Sequence, residues 1–147
     1  MAKAHDLQLT CLRPGPVYGS RDTKATAKLV KSLAARLRFA PTVGVPWVHA
    51  GDLALAAAAA LERPLLSIGK AYNIAGPPVS QLRFLRTMRK VLSEQGKRGL
   101  AWLMPVPVPV FVRFDTHRAS ADLGFTSRPI LDGLREALGE AIEASSA

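Results

Sequence analysis

One cysteine, Cys11, stands in 147 residues, which excludes an intramolecular disulfide framework and any Cys-based zinc site of the usual kind. The three histidines, His5, His49 and His117, have no metal-ligand neighbour at helical spacing, so no metal site is expected. The longest uncharged apolar run, Leu53 to Leu61, is too short to span a bilayer, and the N-terminus has no apolar signal-peptide core. A cytoplasmic protein without a membrane partner is therefore expected. Aromatics make up 6% of the chain, few for stacking nucleic-acid bases. Missing too are a Walker A loop, a G-x-G-x-x-G turn after a first strand and a G-x-S-x-G elbow.

Acidic residues are also scarce: 11 against 20 Lys+Arg, a net charge of +9. The imbalance is local. Residues 1–112 carry 16 basic and 5 acidic side chains (+11), and residues 113–147 carry 4 and 6 (−2). A basic body suits nucleic acid, an anionic membrane or a phosphorylated small molecule, or is simply a well-solvated surface. With few aromatics and no recognised nucleic-acid motif, a nucleic-acid partner is the disfavoured reading. A hydrophobic share of 48% and a length near 150 indicate one globular unit able to bury a core.

Periodicity gives the elements. Leu7 to Leu12 alternates as a strand and is stopped by Arg13-Pro14-Gly15-Pro16. Thr23 to Phe39 reads as a helix with Leu29, Leu33 and Leu37 on one stripe. Val43 to His49 is a candidate strand, followed by Asp52 as the expected N-cap of an all-apolar helix, Leu53 to Leu61, that needs cover on most sides. Lys70 to Ile74 is a strand, and Ser80 caps a helix reaching about Glu94. Pro105, Pro107 and Pro109 exclude a central strand from 100–112, leaving an edge or an extended connector. Asp115-Thr116 caps a short helix ending at Gly124, and a last helix starts near Leu131 with Leu134, Leu138 and Ile142 inward. Strands alternating with helices imply a short parallel α/β sheet.

Five phrases stand in one order. They are Leu12-Arg13-Pro14-Gly15-Pro16-Val17-Tyr18-Gly19, Trp47-Val48-His49-Ala50-Gly51-Asp52-Leu53-Ala54, Lys70-Ala71-Tyr72-Asn73-Ile74-Ala75-Gly76, Phe114-Asp115-Thr116-His117-Arg118-Ala119 with Leu123-Gly124-Phe125, and Ile130 to Leu138. Together they resemble the extended short-chain dehydrogenase/reductases, the NAD-dependent epimerase/dehydratase family, over its C-terminal half only. The resemblance implies a partial Rossmann-type parallel sheet plus a small C-terminal substrate-binding lobe. Residues 1–22 would end the nucleotide-binding sheet, and 23–147 would interleave its remaining elements with the lobe. It implies NAD or NADP as cofactor, although the family's glycine-rich loop and its Tyr-x-x-x-Lys pair have no counterpart here: Lys3 is not the catalytic lysine, and Tyr18 and Tyr72 match other positions.

No catalytic residue is therefore named, and a chain inactive on its own is expected. The resemblance puts Pro14, Gly15, Pro16 and Val17 beside the nicotinamide, with a strand-ending turn as the plainer role. Tyr18 lines the substrate cleft or packs as an aromatic. Arg21 and Arg113 are candidates for an anionic substrate group, as on a nucleotide-sugar. Two further readings stay open: a module that complements a separate N-terminal half or pairs with its own copies, and a nucleic-acid-binding protein.

Overall fold

The computed structural model describes residues 8–20, 22, 25–34, 39–98, 100 and 102–146, with side chains to 139. The first strand, β1 (Cys11–Pro14), pairs in parallel with β6 (Ala71–Ile74), matching Cys11 to Ala71 and Pro14 to Ile74. The strand thus runs through Pro14, two residues past the expected stop. The amides of Cys11 and Gly15 donate to the carbonyls of Lys70 and Ile74. Strand alternation therefore turns Pro14, with no N–H to lose, to the opposite edge.

The expected strand Val43–His49 divides at Pro46. Its first part, β4 (Gly44–Val45), is antiparallel to β7 (Val79–Ser80); its second, β5 (Val48–His49), is parallel to β2 (Val17–Tyr18). β3 (Phe39–Pro41) lies parallel to β8 (Met104–Val106). Short pairs, three parallel and one antiparallel, thus replace one continuous sheet among the described residues. Phe39 belongs to β3 and not to the preceding helix, which is described as α1 (Ala25–Ala34).

The prolines at alternate positions explain the edge at β8. Val106 and Val110 accept from the amides of Thr42 and Gly44, and Val112 donates to Gly44. The even-numbered residues thus face the neighbouring strand, and Pro105, Pro107 and Pro109 take the outward positions, where a missing N–H costs no ladder bond.

Helix α2 (Ala50–Glu62) begins one turn earlier than its apolar run. Its N-cap is His49, whose Nδ1 accepts from the Gly51 amide at 3.2 Å. Asp52 is not the cap, because it lies inside the first turn, and its carboxylate serves another partner. Ala56 and Ala60 are buried, whereas Leu55 and Leu61 are exposed, so the helix is covered on one face and not on most sides. A short α3 (Pro64–Ser67) follows, started by proline at its first position.

Helix α4 (Gln81–Glu94) is capped by Ser80 Oγ and buries Leu82, Phe84, Leu85, Met88, Val91 and Leu92. Helix α5 (His117–Leu123) ends on Gly124 at φ 68°, the left-handed position glycine tolerates. Helix α6 (Ile130–Ser146) buries Leu134 and Leu138; the expected inward Ile142 lies outside the described side chains.

Two apolar clusters result. One joins α1, α4 and α6 through Leu33, Phe84, Met88, Leu134, Trp47 and Tyr18. The other surrounds β6 through Tyr72, Ile74, Val48, Ala60, Leu123 and Phe125.

Candidate functional site

In parallel α/β structures, ligands collect in the crevice beyond the carboxyl ends of the strands. Here that region holds the turn after β1, the turn after β6, and the junctions from β2 to Gly19 and from β5 to α2. Gly15 is buried, and a Cβ there would collide with the Pro46 carbonyl oxygen; one on Gly76 would meet the Trp47 carbonyl. Both glycines are consumed by close approach of three backbones. Pro14 and Pro16 are exposed and Val17 half-buried, so the prolyl rings form the accessible surface at the end of β1.

Beyond β6 lies a hollow of about 350 Å³ bounded by Ala75 to Pro78 and by Arg113, Thr116, Ser120 and Ser127. Arg113 is exposed and lines the hollow together with four hydroxyl-bearing residues, Thr116, Ser120, Thr126 and Ser127, residue types suited to phosphate or carboxylate. A second hollow, about 520 Å³, opens between Gly19, His49, Gly51 and Glu136. Arg21 lies outside the described residues.

Tyr18 is in the core, 1% exposed, with its ring edge-on to His49 at 5.2 Å and to Phe84 at 5.4 Å. Of its two sequence roles, the structure describes the packed aromatic. Burial first, and then the Asp52 charge, push its hydroxyl up to about 12. Tyr72 is raised too, by burial first and then by Asp122, to which its hydroxyl donates at 2.9 Å. Lys70 reaches the same Asp122 oxygen at 2.9 Å, and the bond from Lys70, followed by that from Tyr72, lowers the carboxyl. A tyrosine that trades protons near neutrality needs its hydroxyl lowered; here burial and the carboxylates of Asp52 and Asp122 outweigh the nearby cations Arg128 and Arg118, so both hydroxyls are raised.

Sequence reading missed the most connected polar group. The buried Asp52 accepts from the Arg128 backbone amide at 2.9 Å and from its Nε at 2.7 Å, and Arg128 Nη1 also binds Glu136. Glu136 Oε1 stands 4.0 Å from His49 Nε2. Burial alone would lower the Arg128 pKa; the bond to Asp52 and the charges of Asp52 and Glu136 outweigh it and hold the guanidinium above its ordinary value. The available signal was one carboxylate at the head of an apolar helical run, Leu53 to Leu61, which asks for a buried partner. Among the described residues no group of three His, Cys, Asp or Glu is placed to hold a metal.

A family model described as the NAD dependent epimerase/dehydratase family matches residues 1–75. Among solved structures, UDP-glucuronic acid 4-epimerase from Bacillus cereus, complexed with UDP-glucuronic acid and NAD, aligns with a TM-score of 0.76 and 23% identity, covering 97% of this chain and 48% of that one. UDP-glucose 4-epimerase from Thermotoga maritima, with UDP-glucose, gives 0.74 and 17% over 99% and 49%. RMD from Pseudomonas aeruginosa, complexed with NADPH, gives 0.72 and 15% over 97% and 50%. The chain thus spans about half the length of these structures, and the likeness establishes the partial Rossmann-type fold. Comparison with curated protein sequences found no match.

Proposed function

This chain belongs to the NAD-dependent epimerase/dehydratase family, and from that membership we propose that it forms the substrate-side portion of such an enzyme, without turnover of its own. Residues 1–22 would close the nucleotide-binding sheet, and 23–147 would supply its last elements and the substrate lobe. The observation that carries the reading is the convergence, at the carboxyl ends of β1 and β6, of the exposed prolyl surface and the Arg113 hollow.

Pro14, Gly15, Pro16 and Val17 would form one wall against the nicotinamide end of NAD or NADP, the exposed prolines making the contact and Gly15 letting the turn pass beneath Pro46. Bound NAD(P) supplies hydride transfer. The described residues do not fit the rest of the dinucleotide: Gly15 and Gly76 are spent on packing, and neither tyrosine is primed as acid or base. No chemical step is therefore derived for the chain alone.

Arg113 would meet an anionic group of a small substrate, a nucleotide-sugar being the class bound by the Bacillus cereus and Thermotoga maritima neighbours; Arg21 is a second candidate from the sequence alone. Tyr18 would act from beneath, supporting the cleft floor and not touching substrate.

Calorimetric titration with UDP-glucose and NAD, beside an NAD(P)-linked turnover assay, tests the reading. We expect weak UDP-glucose binding that Arg113→Ala reduces roughly tenfold, the loss of one charge-assisted hydrogen bond. We expect no turnover; redox or epimerase turnover by the 147-residue chain would sink the proposal. A second reading rests on the outer edge of β1, which has no strand partner among the described residues. It makes the chain a module that pairs there with a separate N-terminal half or with another copy, and it requires that mixing with such a half restore NAD binding.

A further inference from the structure

We propose that the ribbon of residues 102–112 is a docking surface for an anionic phospholipid bilayer. Trp102 is 79% exposed, Phe111 63% and Met104 57%, and Val106, Val110 and Val112 are exposed beside them. The backbone restricts what can cover this ridge. Its even-numbered residues are paired with 42–44, and the outward positions are Pro105, Pro107 and Pro109. An edge without amides cannot accept an added strand along those positions. The occupant must take the side chains alone.

Charge selects the occupant. From Arg83 to Arg98 the chain holds Arg83, Arg86, Arg89, Lys90, Lys97 and Arg98 against one acid, Glu94. Two of these cations sit at the foot of the ridge: the Arg89 guanidinium lies 4.1 Å over the Trp102 ring, and Arg86 donates to the Leu103 carbonyl at 3.2 Å. Apolar and aromatic side chains beside a basic bank match the layering of an interfacial anchor. Indole seats at the headgroup level, valines and methionine reach the acyl boundary, and cations meet lipid phosphates. The sequence expectation of no membrane partner rested on the lack of a spanning stretch. Surface docking needs none, and no helix among the described residues is long and apolar enough to cross a membrane.

Vesicle co-sedimentation with tryptophan fluorescence tests the proposal on the full chain. Trp47 is buried against Phe84, so Trp102 is the reporter. With phosphatidylcholine vesicles containing roughly 30% phosphatidylglycerol we expect co-sedimentation and a blue-shifted emission, both lost on raising salt to about 0.5 M, where the Debye length falls well below 10 Å. Trp102→Gln with Met104→Gln abolishes co-sedimentation, which is the readout for this variant because it lacks the reporter. Lys97→Gln with Arg98→Gln weakens binding roughly thirtyfold, the equivalent of about 1 kcal/mol per charge. Circular dichroism matching the wild type shows that the variants are folded.

No binding to anionic vesicles overturns the proposal, as does equal binding to pure phosphatidylcholine. So does binding that survives in folded Trp102→Gln/Met104→Gln. Dimerisation or DNA retention abolished by that variant, without vesicle binding, assigns the ridge to a second copy or to nucleic acid instead.

Discussion

Arg128 binds Asp52 twice across 76 residues, through its backbone amide at 2.9 Å and its Nε at 2.7 Å. The pair ties the first turn of α2 to the loop that launches α6. Because α6 carries Leu134 and Leu138 into the cluster containing Tyr18, the two apolar clusters are held in one arrangement by a polar link.

Asp52→Ala removes both acceptors and leaves the partly buried Arg128 guanidinium with Glu136 as its remaining partner. Losing one partner of a fully buried pair costs about 3–5 kcal/mol. Arg128 is 25% exposed, which brings the expected loss to about 2 kcal/mol. Urea denaturation would read it as a lower midpoint with unchanged slope. Arg128→Lys keeps the charge and the backbone bond and should lose about half as much.

Two glycines of α6 are expected to respond oppositely to alanine. At an open helical site the exchange stabilises by roughly 0.5–1 kcal/mol, and Gly139 has nothing within 4 Å of an added Cβ. At Gly133 the new methyl falls on the buried Tyr18 hydroxyl, and overpacking costs about 1–3 kcal/mol. Thermal melts should show Gly139→Ala above the parent and Gly133→Ala below it. Tyr18→Phe should rescue Gly133→Ala in part, because it deletes the hydroxyl at the worst overlap while ring carbons at 3.0 and 3.1 Å remain.

Both tyrosines ionise late, with Tyr18 at about 12. The unfolded chain releases these protons near 10. Their contribution to stability is thus complete below pH 10 and is lost as pH rises above it, for Tyr18 through about 12. Absorbance titration near 295 nm should show both tyrosines ionising above their ordinary pH, and the appearance of tyrosinate should accompany unfolding. Ionisation of either tyrosine at its ordinary pH in the folded protein would contradict the packing described.

Asp122 works at the other end of the pH scale. Lys70 and Tyr72 lower its pKa, so its contribution is present above the ordinary value of 3.8 and disappears as pH falls through the depressed one. Asp122→Asn should lower the melting temperature at pH 7 and bring the two proteins together in acid. A constant gap between the two melting curves down to pH 2 would contradict this pairing.

Much of the scaffold was legible. The apolar spacing of Leu82, Leu85, Met88 and Leu92 announces α4, with Ser80 as its cap, and Gly124 marks the end of α5. The three alternating prolines were readable as an edge or an extended connector, since a missing N–H excludes a central strand in any fold. The site was less legible. Pro46 divides one expected strand between two partners, and His49 takes the cap that spacing assigns to Asp52. Nothing local distinguishes these outcomes, because both residues are committed by contacts made elsewhere in the chain.

The order of phrases along the chain carried the resemblance to the family and, through it, the partial Rossmann-type architecture, while turn chemistry and apolar periodicity, being local properties, set the alternation of strands and helices. Tertiary structure alone decided that Gly15 and Gly76 serve backbone packing, that Arg113 stands among hydroxyls, and that Asp52, Arg128 and Glu136 share one network. Those facts depend on residues far apart in sequence, and only a folded chain brings them within hydrogen-bonding distance.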